Sequence, residues 1–298
     1  PTERGRQGAS VDEARSIAGN NYYNPSWGYQ NGKKRNANVL QTFQPVFMAV
    51  YDYQPDEKSS LVTTVGYVFG KRKNSALDWY NAPDPRPDYY RYLPSYYADD
   101  NAVIYQSLQQ FYQSEPAALQ IQWHKLYEAN TGNMQLITNA DGITGNTVSG
   151  KRSVYILSNR VNDTKRFLAN TVYNAKLDQT ITLTIGANYQ QQTNHYYQEV
   201  KDLLGGDFWV NINQFAERDF PNDPNAIQHD LIQPNRIITK GEQYGYNYKV
   251  TTNRVAAWAQ LSFKLKHFDA FVAGEISNSN FFRTGFNQNG LFEVFSYR

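Results

Sequence analysis

The sequence predicts an all-β protein: an antiparallel transmembrane β-barrel segment of about six strands, with long extracellular loops, one of them containing short helices. Three observations carry this expectation. Apolar and polar side chains alternate over long stretches, the pattern of strands with one apolar face. The connections between those stretches run short, long, short, long, short, which puts every long one at the same end, the layout of a membrane barrel. The composition is aromatic, at 15%, with 24 Tyr, yet the mean hydropathy is −0.69. Wet surfaces plus aromatic girdles suit that balance better than a soluble α/β enzyme does.

The strands follow in chain order. Val39–Tyr53 alternates loosely and ends in aromatics. Ser59–Lys71 sets Leu61, Thr63, Val65, Tyr67 and Phe69 on one face. Arg152–Leu177 reads as one long strand, weakest at the polar stretch VNDTKR. In QTITLTIGANYQQQ, Ile181, Leu183, Ile185, Ala187 and Tyr189 oppose Thr182, Thr184, Gly186, Asn188 and Gln190. Gln243–Phe263 places Tyr244, Tyr246, Tyr248 and Val250 on one side. Its apolar phase then slips to Val255, Ala257, Ala259 and Leu261, which predicts a β-bulge near Thr252. Lys266–Thr284 sets Phe268, Ala270, Val272 and Ile276 against Asp269, Glu275 and Ser277. Ile181, Leu183, Ile185, Val272 and Ile276 are expected to face lipid, and Thr182, Thr184, Asn188 and Glu275 the lumen. These strands exceed the ~9–11 residues a spanning strand needs, so they would project beyond the bilayer, as in a large barrel. A soluble β-sandwich with decorated loops is the competing architecture.

The short connections lie at Gln54–Ser60, Ala175–Gln179 and Lys264–His267. The long ones span about 74–150 and 196–242, well beyond the ~15 residues usual for compact domains. Within the first, Ile104, Leu108, Phe111 and Tyr112 recur at helical spacing. Ser114, Glu115 and Pro116 read as the start of a second helix carrying Leu119, Trp123, Leu126 and Tyr127, with Asn130 and Gly132 at its end. A separate helical subdomain is the alternative. The stretch Leu77–Tyr97 holds four prolines and is rich in tyrosine. Proline bars it from a central strand or a helix interior, so it reads as a stiff aromatic loop.

A net charge of +2 is too small to argue for nucleic acid or any other acidic partner, and no nucleic acid is expected. With no Cys there is no disulfide, thiolate metal site or Cys nucleophile. No stretch approaches the ~20 apolar residues of a spanning helix. The opening residues are polar and charged, unlike a signal peptide, so export would require residues upstream of Pro1.

Chemistry-bearing motifs are sparse. His124, His195, His229 and His267 form no metal-ligand spacing, and each reads as a surface or packing residue. Gly205–Gly206 lacks the Lys and Ser/Thr of a phosphate loop and reads as a tight turn. Asp99, Asp100, Glu217, Asp219 and Asp223 match no EF-hand; a structural Ca²⁺ competes there with a plain solvated acidic face. No enzyme activity, catalytic residue, metal or cofactor is expected. The aromatic loops are the candidate ligand surface, since Tyr and Trp give large contact area at low entropy cost. Trp79, Tyr80, Tyr89, Tyr90 and Trp209 are expected to form a partly exposed cluster over the pore mouth, against the alternative that these rings pack only on one another.

The segments NNYYNPSWGYQNGKKRN (Asn20–Asn36), ALDWYNAPDPRPDYYRYLPSYY (Ala76–Tyr97) and DLLGGDFWVNINQFAERDFP (Asp202–Pro221) resemble the TonB-dependent outer-membrane receptors of Bacteroidota. The likeness extends from about Asn20 to Gly285 and points to no particular substrate. It implies a barrel of about 22 strands around a plug, often preceded by a carboxypeptidase-regulatory-like domain. It implies active uptake of a large or scarce nutrient across the outer membrane. The implied partners are outer-membrane lipid and the TonB energy-transducing complex, reached through parts outside this chain; a surface lipoprotein is a further candidate. No plug or TonB box is visible, so residues 1–298 are expected to be part of the barrel domain, with the remaining strands elsewhere. An open six-stranded edge in lipid would leave backbone groups unpaired. A passive porin-like channel and a soluble carbohydrate-binding β-protein are the alternatives.

Overall fold

The computed structural model describes residues 1–5 and 8–297. Its centre is one antiparallel eight-stranded sheet. Two of those eight, Val39–Phe43 and Val46–Asp56, pair with successive stretches of the same neighbour and act as one strand, β1. A third, Thr2–Glu3, adds only two residues beside Val39 and Leu40. Six long strands therefore remain: β1, β2 (Ser59–Trp79), β3 (Tyr155–Lys176), β4 (Ile181–Asp202), β5 (Gln243–Lys264) and β6 (Asp269–Gly285). They pair in chain order, an up-and-down meander. Among the described residues the meander does not close: β1 and β6 are its two edges.

The breaks and turns have local causes. Pro45 interrupts β1, and it sits on an edge strand where no ladder N–H is required. Asp56 makes the first tight turn by accepting from the Lys58 N–H at 2.8 Å and the Ser59 hydroxyl at 2.7 Å. Asp178 repeats the device, accepting from the Thr180 N–H at 2.6 Å and the Ile181 N–H at 2.8 Å. Asp side chains commonly close turns in this way. Both carboxyls are held below their ordinary range by those bonds. These turns and the one around Lys266 lie at one end of the sheet; both long connections lie at the other.

The alternation survives in three dimensions as continuous rows. Leu183 lies across from Ala175 on one side and Leu261 on the other, and Leu261 faces Val272. Ala187, Ala257 and Ile276 form another row, and Val65, Ala169, Tyr189 and Val255 a third. Ile181, Leu183, Ile185, Val272 and Ile276 thus share one face. Thr182, Thr184, Asn188 and Glu275 share the opposite one, where Arg254 bonds Glu275 at 3.2 Å and Thr184 bonds Asn174 at 2.8 Å. On that face the Trp258 indole lies over Gly186, where a Cβ would stand only 2.3 Å from the ring.

Three expectations need correction. The bulge in β5 lies opposite Tyr197 and Gln198, between Tyr244 and Asn247, and register is unbroken at Thr252. Gly245, at φ +66°, supplies the left-handed residue there. The apolar phase changes near Thr252 because Tyr248 and Val250 stand above the apolar band and face the other way. The stretch VNDTKR is no weak point, since β3 runs through it fully paired on both sides. Finally, Pro116 starts no α-helix. After α1 (Val11–Ala18) and α2 (Ala102–Ser114), Pro116–Leu119 is a 3₁₀ turn and α3 begins at Trp123 (Trp123–Thr131). Between them the Ile121 N–H leaves the helical path to donate to the Trp27 carbonyl at 2.9 Å.

Candidate functional site

The loops cap the far end of the sheet on both of its faces. On one side Trp123, Leu126 and Ile121 pack against Tyr155, Leu157 and Leu204. On the other, Tyr80, Trp209, Ile238 and Tyr244 pack against Ile156 and Val200. Successive residues of β3 point oppositely, so Ile156 and Leu157 anchor different caps. Asn130 ties the two together. Fully buried, it accepts from the Val154 and Tyr155 N–H groups at 2.8 and 3.0 Å, and donates to the carbonyls of Tyr155, Leu203 and Leu204.

The five aromatic candidates divide between interior and surface. Tyr80, 9% exposed, and Trp209, 4% exposed, meet edge to face at 6.4 Å inside the second cap. Trp79 is half-buried against the first cap, with the Arg86 guanidinium 5.3 Å from its ring. Tyr89 and Tyr90 stand apart from these three. They belong to a ladder in which Tyr89 meets Tyr90 and Tyr92, Tyr90 meets Tyr96, and Tyr96 meets Tyr97, all edge to face at 4.8 to 5.5 Å. Tyr90 and Tyr96 are exposed at 52% and 46%. The single partly exposed cluster expected from sequence is therefore two groups. The reason is strand length: β2 continues to Trp79, which carries Trp79 and Tyr80 into the caps before the proline-rich loop departs.

Residues outside the five aromatic candidates complete the site, and of these the sequence singles out Glu217 only as one of the acidic loop residues. Helix α4 (Gln214–Asp219) docks on the start of the first loop. The Tyr80 hydroxyl and the Asn81 amide both donate to Glu217, Gln214 accepts from the Asn81 N–H at 2.8 Å, and it donates to the Trp79 carbonyl at 2.8 Å. Burial and the Glu217 carboxylate push the Tyr80 hydroxyl above its ordinary range. Arg152, also buried, lays its guanidinium 3.9 Å over the Tyr80 ring, and its Nη1 donates to Gln135. Of the acidic loop residues, Glu217 is thus a latch, Asp219 pairs with Arg218, and Asp223 caps Asn225 and Ala226. Gly205 and Gly206 form a turn against Tyr127 and Ser153.

Clefts open among the described loops, two of them between packed aromatic residues. One, of about 300 Å³, lies between α1 and α2 and is lined by Tyr23, Trp27, Tyr112, Gln113 and Gln120, with no charged side chain. The other, of about 440 Å³, includes His229, Tyr246, Tyr248 and Arg283. Burial holds the His229 imidazole down to about 4, so it is neutral near pH 7.

Below the caps, the apolar face of the sheet is the more exposed one. Val65, Tyr67, Phe167, Ile185, Tyr189 and Val255 are exposed, Ile185 at 43%, whereas Gly66, Gly186 and Ala256 opposite are buried. Aromatic rings crowd the upper rim of this face, with Phe47, Tyr67 and Phe69 stacked at 5.7 to 6.0 Å and Phe167 beside Tyr189 at 6.2 Å. No helix of the described residues is long and apolar enough to cross a membrane, which leaves strands unaddressed. Neither a family model, nor a curated protein, nor a solved structure matches the chain.

Proposed function

We propose that the chain is a barrel-wall segment of a TonB-dependent outer-membrane transporter that takes up a large or scarce nutrient. The observation that carries the membrane part is the inverted sheet. A water-soluble sheet buries its apolar face; here that face is the more exposed of the two, with Val65, Tyr67, Phe167, Ile185, Tyr189 and Val255 exposed while Gly66, Gly186 and Ala256 opposite are buried. Large exposed apolar patches mark interaction surfaces. The apolar stretch covers Leu61–Phe69, Phe167–Ala175, Ile181–Tyr189 and Val255–Phe263, within the reach of a bilayer's hydrocarbon core. Its aromatic rim matches the girdle at which amphipathic rings sit in such barrels. The edge of β6 and the edge of β1 beyond the two residues that Thr2–Glu3 covers are where further strands would join.

The TonB-dependent part rests on the resemblance of the three aromatic loop segments. In this reading the long loops face outward and the tyrosine ladder and the two clefts are where ligand meets the protein. The test uses the full-length protein in its own cell. It should fractionate with the outer membrane and migrate faster before boiling than after. Uptake of its nutrient should stop when TonB is deleted. Uptake that persists without TonB would leave a passive porin, and recovery in the soluble fraction would remove the membrane reading altogether.

A further inference from the structure

Immediately above the aromatic rim, the apolar face turns cationic. Register places Phe43, Lys71, Asp163, His195, Lys249 and Thr284 in one row across all six strands. The row below it contains Phe69, Lys165, Thr193, Thr251 and Phe282. These two rows carry three lysines and one carboxylate. Asp163 is 3.5 Å from Lys71. Lys165 and Lys249 have no carboxylate partner among the described residues; Lys165 is exposed, and the Lys249 ammonium lies 5.0 Å over the Phe286 ring. One row higher, Lys73 is neutralised by Glu199 at 2.6 Å. The turn end of the sheet has no such imbalance, since Lys58, Lys176, Lys264 and Lys266 are matched there by Asp56, Glu57, Asp178 and Asp269.

We infer that Lys165 and Lys249, with Lys71 beside them, form a binding site for the phosphate groups of an outer-leaflet lipid. The inference rests on the membrane reading above and adds to it a lipid of stated chemistry. Two features select a lipid over a soluble anion. The lysines are continuous with the apolar band, so acyl chains lying on Val65, Phe167, Tyr189 and Val255 would end at these ammonium groups. They are also spread over four neighbouring strands, about 14 Å at ordinary strand spacing. That width suits a headgroup with more than one phosphate better than a single small ion. Basic residues at a membrane surface bind anionic headgroups through this kind of local field.

The experiment uses full-length protein purified from outer membranes into mixed micelles. The probes are lipid A with two phosphates, dephosphorylated lipid A and phosphatidylethanolamine, and bound lipid is read by native mass spectrometry. Wild type should retain the bisphosphorylated lipid over the dephosphorylated form by on the order of tenfold. The Lys165→Gln/Lys249→Gln double variant should lose that preference, and Lys165→Arg/Lys249→Arg should keep it. Excess inorganic phosphate should leave the lipid in place. Equal retention of the two forms of lipid A by wild type overturns the inference, as does an unchanged preference in the glutamine variant. Displacement by inorganic phosphate assigns the site to a free anion and also overturns it. If the glutamine variant fails to assemble, the wild-type preference and its retention by the arginine variant decide. Failure of the full-length protein to enter the membrane refutes the underlying reading instead, so the two failures are distinguishable.

Discussion

The Tyr80 hydroxyl donates to the Glu217 carboxylate at 2.5 Å, joining loops that are 137 residues apart in the chain. Hydrogen bonds to a charged group contribute about 1.5–3 kcal/mol. Tyr80→Phe removes the donor and leaves the ring under Arg152. Its expected effect is faster amide exchange confined to Gln214–Asp219, with the sheet unchanged. Exchange rates that stay at the wild-type level across α4 would show that the latch does not hold it.

Asn130 makes its five hydrogen bonds in a site with no exposure. Asn130→Leu keeps the volume but takes the acceptor from the Val154 and Tyr155 N–H groups and the donor from the Leu204 carbonyl, while the Leu203 carbonyl keeps the Gly206 N–H and the Ser153 hydroxyl. Each such loss costs about 1–3 kcal/mol. Proteolysis of both caps should accelerate together in the folded protein, because both hang on this one amide. Cleavage of only one cap would contradict the shared role.

The sheet faces are separable by charge. Ile185→Lys places an ammonium on the exposed apolar face, at an expected cost of about 2–4 kcal/mol if that face meets lipid at mid-depth. Asn188→Lys, three residues along and on the opposite face, should be tolerated. The readout is the amount of heat-modifiable protein in the outer membrane. Equal yields of the two variants would remove the lipid-facing assignment.

Trp209 and Tyr90 separate packing from capture. Trp209→Ala opens the second cap and should cost about 3–5 kcal/mol, seen as less assembled protein. Tyr90→Ala should leave assembly unchanged and weaken uptake or affinity. A truncated central anchor can cost about 2 kcal/mol or more of binding. Normal uptake by the Tyr90→Ala variant would take the exposed ladder out of ligand capture.

His229 predicts an acid-sensitive loop. Its folded value of about 4 lies below the ordinary 6.5 because burial disfavours the charged ring. Above that ordinary value both folded and unfolded chains are neutral there, and the group is silent. As pH falls from 6.5 toward 4, the unfolded chain takes up a proton the folded loop refuses, so stability drops, by about 3 kcal/mol at most. His229→Gln should flatten this part of a pH series of urea melts. Parallel acid losses in both proteins would clear the ring of responsibility.

The strands were legible because their signal is local. Ile181 to Tyr189 alternate within a single stretch of chain, and one period assigns every side chain to a face. The order of short and long connections then put both large loops at one end. Helix α3 was legible in part: Trp123, Leu126 and Tyr127 carry the period, but nothing nearby in sequence announces that Ile121 will pair with Trp27. The same limit hid the split among the aromatics. Trp79, Tyr80, Tyr89 and Tyr90 are near neighbours in sequence, and only the reach of β2 separates the first two from the others.

By itself, then, the sequence determined which residues alternate, where the chain turns and which residues share a face, because backbone geometry ties those properties to spacing of a few residues. The tertiary structure alone decided that the apolar face is the more exposed one, that Trp209 is interior while Tyr90 is not, and that Lys71, Lys165 and Lys249 fall in two neighbouring rows of one face. Those depend on register between strands and on which loops meet across the sheet, and residues up to 178 positions apart, such as Lys71 and Lys249, have no local pattern through which to signal their proximity.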